Sequence, residues 1–112
     1  MRKAQVFRND ELVGTLWEES RSSYGFRYDT TYFLDPAKPQ ISFRLPKSQQ
    51  EYHSEILFPF FYNLLSEGAN RKLQSRLLKI DEGDHFGFLL ATAQSDTIGA
   101  ITVKPITDHE NS

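Results

Sequence analysis

The chain has 112 residues, a formal net charge of −2 at pH 7 and no cysteine, so it is long enough for one domain and too short for two ordinary ones. Without cysteine there are no disulfides, thiolate zinc sites or cysteine nucleophiles, which fits a cytoplasmic protein. The charge gives no reason to expect nucleic acid or an anionic membrane as a partner, and no apolar run approaches the roughly 20 residues that span a bilayer.

The first part of the chain predicts a β-hairpin followed by a third strand. Residues 6–8 and 12–17 carry apolar side chains on both sides of Asn9 and Asp10, two residues that tolerate a positive φ, and this pattern is typical of a hairpin. In residues 24–28, Tyr and Phe alternate with Gly and Arg, which is the two-residue period of a half-buried strand.

A fourth strand is predicted after a break that contains prolines. Residues 35–39 include two prolines, which remove backbone donors and restrict the residues before them. In residues 41–45, Ile, Phe and Leu alternate with Ser and Arg, so we expect a strand there that ends at Pro46. Residues 47–51 are polar and are expected to form a loop.

Beyond this loop the spacing of apolar residues becomes that of a helix. Pro59 is compatible only with the first turn, and Gly68 is expected to end the helix. The residues that share its apolar face are Ile56, Leu57, Phe60, Phe61, Leu64 and Leu65. The last four of these are expected in the core.

Two more helices and a closing strand are predicted. Leu73, Leu77 and Ile80 form the apolar stripe of a second helix. Asp84 is a candidate N-cap for a short third helix, and residues 98–103 are expected to form a fifth strand. The predicted fold is therefore α+β: one small domain over residues 1–106, with a mainly antiparallel five-stranded sheet and three short helices. The polar residues 107–112 are expected to be a disordered tail.

The sequence contains no constellation of residues that carries catalysis. His53, His85 and His109 lack the spacing of metal ligands, and surface or helix-end positions are favoured for them. The acidic residues 81–84 fall far short of a calcium-binding loop, so a solvated turn with a helix cap is favoured. There is no phosphate-binding loop, nucleophile elbow or His-Glu-x-x-His motif. We therefore expect no catalytic residue, no cofactor and no metal.

Two features leave alternatives open. Arg71, Lys72, Arg76 and Lys79 are predicted on the outer face of the second helix, either as solvated side chains or as a patch directed at phosphate or an acidic protein surface. Trp17 is predicted in the core, with a contact role on an edge strand as the alternative.

The order of these elements resembles the N-terminal subdomain of HipA-type serine/threonine kinases, the toxins of bacterial persistence modules. The resemblance covers about residues 3–105. Its segments are Val13-Gly14-Thr15-Leu16, the tyrosine-bearing third strand, Ile41-Ser42-Phe43-Arg44-Leu45-Pro46, Phe60-Phe61-Tyr62-Asn63-Leu64-Leu65 with Glu67-Gly68, and Asp96-Thr97-Ile98-Gly99-Ala100-Ile101-Thr102-Val103 with Pro105.

The chain ends where a HipA kinase continues through its catalytic sites, and in this it is similar to the HipS antitoxins of tripartite HipBST systems. The resemblance implies a non-enzymatic protein that docks on a HipT-type kinase toxin, where the fused subdomain would lie, and restrains its active site. It implies a HipB-type helix-turn-helix protein in the larger complex. The alternatives are a non-inhibitory assembly subunit, a small-ligand binding domain, and the N-terminal fragment of a full HipA-like kinase.

Contact with the kinase is expected between the first and second predicted helices. Many relatives carry Pro-Glu-Gly-Trp there, with the Trp directed at the kinase, whereas this chain has Ser-Glu-Gly-Ala. The missing ring is worth about 3 kcal/mol, so another residue must supply the contact, and Tyr62, Glu67 and Asn70 are nearest. The candidate contact residues are Phe58, Tyr62, Asn63, Ser66, Glu67, Gly68, Ala69, Asn70 and Arg71.

Overall fold

The computed structural model describes residues 1–65, 69–93 and 101–106, with the backbone alone at Ala69. Five strands pair antiparallel in one sheet of order β4-β3-β2-β1-β5. The strands are β1 Arg2–Arg8, β2 Glu11–Ser20, β3 Ser23–Tyr28, β4 Glu51–Ser54 and β5 Ile101–Ile106. The helices are α1 Thr30–Leu34, α2 Pro59–Tyr62, α3 Ala69–Leu78 and α4 His85–Thr92. The predicted α+β fold with a five-stranded antiparallel sheet is confirmed, and α1 is a short helix that was not predicted.

The predicted hairpin is confirmed. Asn9 and Asp10 have φ values of 50° and 67°, the left-handed conformation that a two-residue turn with the twist of the flanking strands requires. Arg8 and Glu11 are paired across this turn. The turn chemistry therefore sets the register of β1 on β2.

The predicted fourth strand over residues 41–45 is wrong, because these residues form an irregular loop. Three tyrosine hydroxyls donate hydrogen bonds to backbone carbonyls in or beside this loop. Tyr28 donates to the Leu45 carbonyl, Tyr32 to the Pro39 carbonyl at 2.6 Å, and Tyr52 to the Pro46 carbonyl at 2.5 Å. Burial raises the pKa of the Tyr28 hydroxyl to about 12, so it stays a donor.

The actual fourth strand, β4, begins at Glu51 and pairs with β3. It was missed because its four residues, Glu-Tyr-His-Ser, carry little hydrophobic alternation. The segment expected to be a polar loop therefore leads directly into an edge strand.

The core lies between one face of the sheet and the helices. Its fully buried large side chains are Val6, Val13, Leu16, Phe26, Tyr28, Tyr32, Leu45, Phe61, Phe86, Phe88, Leu89 and Val103. Phe61 is in the core as predicted, and Leu65 is buried. Phe60 and Leu64 are only partly buried and pack against the edge of this cluster.

Ion pairs fix the start of α4 to the sheet. The Asp84 carboxylate caps α4 by accepting from the Gly87 N–H at 3.0 Å, as predicted. The same carboxylate lies 2.7 Å from Arg2 Nη2, which is also 2.5 Å from Glu18 Oε1. The hydrogen bond from Arg2 holds the pKa of Asp84 below its ordinary value. Strands β1 and β2 thus determine where the first residue of α4 lies.

Two expectations about apolar residues are wrong. Trp17 is not in the core, because it lies on the face of the sheet opposite the helices, where its ring covers Gly25 and meets His53 edge-on at 5.9 Å. The helix expected to begin near Pro59 and to end at Gly68 is limited, within the described residues, to the four residues of α2, and Ile56 of the predicted apolar face is exposed.

The closing strand β5 contains the described part of the predicted one and continues beyond it. It was expected over residues 98–103, of which 98–100 lie outside the described residues, and β5 extends to Ile106. The predicted tail, residues 107–112, also lies outside the described part. Within the residues that the structure describes, no helix is long and apolar enough to cross a membrane.

Candidate functional site

The end of α2 forms a ridge between two clefts. Tyr62 lines a cleft of about 490 Å³, and Asn63 lines a cleft of about 370 Å³. The walls of the larger cleft, called here the Tyr62 cleft, are formed by Arg21, Tyr24, Ile56, Leu57, Pro59, Tyr62, Gly83 and His85. The smaller cleft is lined by Arg8, Gln40, Ile41, Phe60, Asn63, Leu64 and Ile101.

Local sequence explains why Tyr62 and Asn63 face outward. Pro59 begins α2, where its missing N–H is not needed. Phe58 and Phe61 then turn into the core, and the Phe61 ring lies 5.7 Å from the ring of Phe26. In so short a helix, the positions that follow Phe61 are left at the surface.

His85 is a polar side chain in the wall of the Tyr62 cleft. The Tyr62 ring meets the imidazole edge-on with 5.1 Å between ring centres. Arg71 Nη2 donates to His85 Nδ1 at 2.5 Å, which requires a neutral imidazole with its proton on Nε2. Burial, followed by the positive charges of Arg71 and Arg21, lowers the pKa of His85. His85 is therefore a neutral hydrogen-bond donor at neutral pH.

Arg21 is the charged side chain among the residues that line the Tyr62 cleft. Its Nη1 donates to the Gly83 carbonyl at 3.3 Å, and its Nη2 lies 3.8 Å from an Asp81 carboxylate oxygen. The cleft thus combines apolar walls with an exposed cation and a neutral donor. Such a surface suits the binding of an apolar side chain with a polar end.

Within the part of the chain that the structure describes, no group of three or more His, Asp or Glu side chains is placed to hold a metal ion. His85 is held by Arg71 and Tyr62, so its ring is part of a wall.

The structure separates the predicted contact residues into three groups. Tyr62 is half-buried, and Asn63 and Asn70 are exposed, so these three are available to a partner. Phe58 and Arg71 are buried. Ser66, Glu67 and Gly68 lie outside the described residues, as does the side chain of Ala69.

The sequence had not indicated His85, Arg21 or Ile56 as site residues. Ile56 lies in the loop just before α2, whereas Arg21 comes from the turn between β2 and β3 and His85 from the start of α4, so the fold brings these two to Tyr62 from distant parts of the sequence. The predicted N-cap at Asp84 could have drawn attention to His85, because it places His85 at the first position of a helix.

A model of the HipA N-terminal domain family matches residues 4–104 of the chain. An uncharacterised protein of Haemophilus influenzae is 33% identical over 104 residues, which are 93% of this chain and 92% of that protein. The putative kinase Y4mE of Sinorhizobium fredii is 26% identical over 105 residues, and the match spans 94% of this chain but 25% of the kinase. A solved structure of the N-terminal domain of HipA toxin superposes with a TM-score of 0.71 and 30% identity, covering 96% of this chain and 95% of that one.

Proposed function

The chain belongs to the HipA N-terminal domain family, and on this premise we propose that it is a HipS-type antitoxin that binds and neutralises a HipT-type serine/threonine kinase. It docks on the kinase in the place that the N-terminal domain occupies in a fused HipA protein. The observation that carries the proposal is the match to this domain over residues 4–104. The match covers 92% of the Haemophilus influenzae relative, which supports the view that this domain also occurs as a protein of about this size.

The contact with the kinase is made by the ridge of Tyr62 and Asn63 and by the Tyr62 cleft. A tyrosine that presents a ring and a hydroxyl beside an apolar cleft is the kind of residue that contributes strongly to interfaces. Asn70, at the start of α3, extends this surface. In this proposal, Tyr62 makes the aromatic contact with the kinase that, in many relatives, is made by the Trp after the Glu-Gly pair.

Inhibition follows from a difference in affinity between two kinase states. A bound protein shifts the kinase toward an inactive arrangement only if it binds that arrangement more tightly, by about 1.4 kcal/mol for each tenfold shift. The antitoxin needs no chemistry of its own for this. It acts in the cytoplasm, and a HipB-type helix-turn-helix protein completes the complex.

Growth of cells that express the partner kinase tests the proposal. Coexpression of this chain is expected to restore growth, and Tyr62→Ala is expected to weaken the rescue. Trp17→Ala is the matched control, because Trp17 is an aromatic residue on the opposite face of the sheet. Continued toxicity while the two proteins form a stable complex would refute the proposal.

The match to Y4mE favours a second candidate function. This chain spans 25% of that putative kinase, so the domain also occurs within a longer chain. As an assembly subunit, or as the N-terminal part of a kinase, it would leave phosphorylation unchanged or support it. A kinase assay with and without the chain separates these roles from inhibition.

A further inference from the structure

Helix α3 presents its leucines to solvent. Leu73 is 51% exposed and Leu77 is 71% exposed, and because they are four residues apart they lie side by side on one face of the helix. Leu78, in the same helix, is 45% exposed. The leucine stripe predicted for this helix is thus present, but it does not face the core.

The side of α3 that faces the protein is polar. Arg71 is 7% exposed, and its Nη2 donates to the Glu82 carbonyl at 3.1 Å and to His85 Nδ1. Near the end of the helix, the Ser75 hydroxyl donates to the Ile80 carbonyl at 2.5 Å. Rolling α3 to bury its leucines would break the contacts of Arg71 and expose this side chain, so Arg71 holds the leucines outward.

Cations border the leucines. Lys72 and Arg76 are exposed and four residues apart, so they form a row on one side of the leucines, with Arg76 a surface neighbour of Leu73. Lys79 follows the helix and is also exposed. The ten residues of α3 include no Asp or Glu, although the whole chain has a net charge of −2. The acidic residues 81 and 82 come after the helix, and the carboxylate at Asp81 is paired with Arg21.

We infer that the outward face of α3, formed by Leu73, Leu77, Lys72 and Arg76, is a second contact surface for the kinase. It takes an apolar patch on the partner that is rimmed by Asp and Glu side chains. Burial of the leucines supplies affinity, and the cations select an acidic rim and speed the encounter. This inference rests on the proposed function, since it names the chemistry of a surface on the same partner.

A protein partner is favoured over a membrane surface. An interfacial helix needs a broad apolar face, commonly with aromatic residues, to hold a protein at a bilayer. The outward face of α3 offers two leucines and no aromatic residue, and the net negative charge of the chain opposes anionic lipid.

Calorimetric titration of the whole chain into the partner kinase tests the inference. Leu77→Gln keeps a side chain of similar length with good helix propensity. It is expected to raise the Kd about tenfold. Leu34→Gln is the matched control, because Leu34 is 69% exposed on α1, and its Kd should equal that of the wild type.

A second pair of variants tests the charged rim. Lys72→Glu should weaken binding and flatten the salt dependence of the Kd, because one attractive charge becomes repulsive. Lys3→Glu, an exposed lysine on β1, is the control with the same change in net charge. If Lys72→Glu and Lys3→Glu change the Kd equally, the inference that the partner has an acidic rim is refuted.

The outcomes separate the inference from the proposed function. If the wild type binds the kinase and Leu77→Gln binds as tightly, the inference is refuted and the proposed function stands. If the wild type does not bind the kinase at all, both fail. If α3 instead directs the chain to vesicles rich in phosphatidylglycerol, and Leu77→Gln abolishes only that binding, α3 is a membrane surface and the inference is wrong.

Discussion

The guanidinium carbon of Arg71 lies 4.3 Å from the centre of the Phe88 ring, and this contact joins α3 to α4 through a buried cation. The same side chain reaches the Glu82 carbonyl and His85. One arginine therefore joins α3 to α4 and, after burial, contributes to the lowered pKa of the histidine beside Tyr62.

Arg71→Met should loosen α3. The substitution removes a cation–π contact and charged hydrogen bonds from a buried position, and we expect a loss of about 2–3 kcal/mol in the free energy of unfolding. Denaturant titration measures the loss, and hydrogen exchange should show faster opening of α3 than of the sheet. Lys72→Met, at the exposed neighbouring position, should change the stability by less than about 0.5 kcal/mol. An Arg71→Met variant as stable as Lys72→Met would contradict this role.

His85 should make the stability of the chain depend on pH near neutrality. Because the pKa of His85 is lowered in the folded chain, the unfolded state binds more protons, and stability falls as the pH drops below about 7 through the ordinary histidine pKa. The contribution of His85 to stability is fully present at higher pH, where the imidazole is neutral in both the folded and the unfolded state.

His85→Gln tests this pH dependence, since the glutamine oxygen can still accept from Arg71. Its melting temperature should fall less than that of the wild type between about pH 7.5 and pH 5.5. His53→Gln, on the far face of the sheet, should keep the contribution of His85. Parallel pH profiles for the wild type and His85→Gln would show that the imidazole carries no such linkage.

Phe61→Ala should damage the fold. Phe61 is fully buried between α2 and the sheet, so its truncation should cost about 3–5 kcal/mol in unfolding free energy. Phe43→Ala is the control, because Phe43 is 90% exposed and its ring has little to lose. Cooperative unfolding of Phe61→Ala at the wild-type midpoint would refute its core position.

Gly25→Ala should displace the indole of Trp17. A Cβ at Gly25 would lie 2.2 Å from Trp17 Cζ2, whereas one at Gly83 would have only an ordinary contact at 3.7 Å with Arg21. Trp17 is the single tryptophan of the chain, so its fluorescence reports this site alone. We expect a red-shifted emission for Gly25→Ala and none for Gly83→Ala. Identical spectra for both variants would argue against the packing of Trp17 on Gly25.

Local signals were sufficient for much of the fold. Asn9 and Asp10 specify a turn through their own backbone preferences, and Asp84 caps α4 through an oxygen three residues from its donor. Such interactions lie within a few residues of sequence and are readable from it. The family resemblance rested on several such segments in order, and the comparison with solved structures bears out the fold.

Two of the failures share a cause, which is long-range contact. Residues 41–45 alternate like a strand, but tyrosines from other elements hold their backbone as a loop. The stripe of Leu73 and Leu77 has the spacing of a core face, yet Arg71 packs on Phe88 and turns that face outward. Periodicity gives the faces of a helix and does not say which face the rest of the protein covers.

Kinase autophosphorylation, measured while this chain is titrated in, tests the central claim most directly. We expect activity to fall to a low plateau at a stoichiometric amount of the chain, and Tyr62→Ala to require a higher concentration than Trp17→Ala. Undiminished phosphorylation by a kinase that is demonstrably bound to the chain would contradict the claim of an antitoxin.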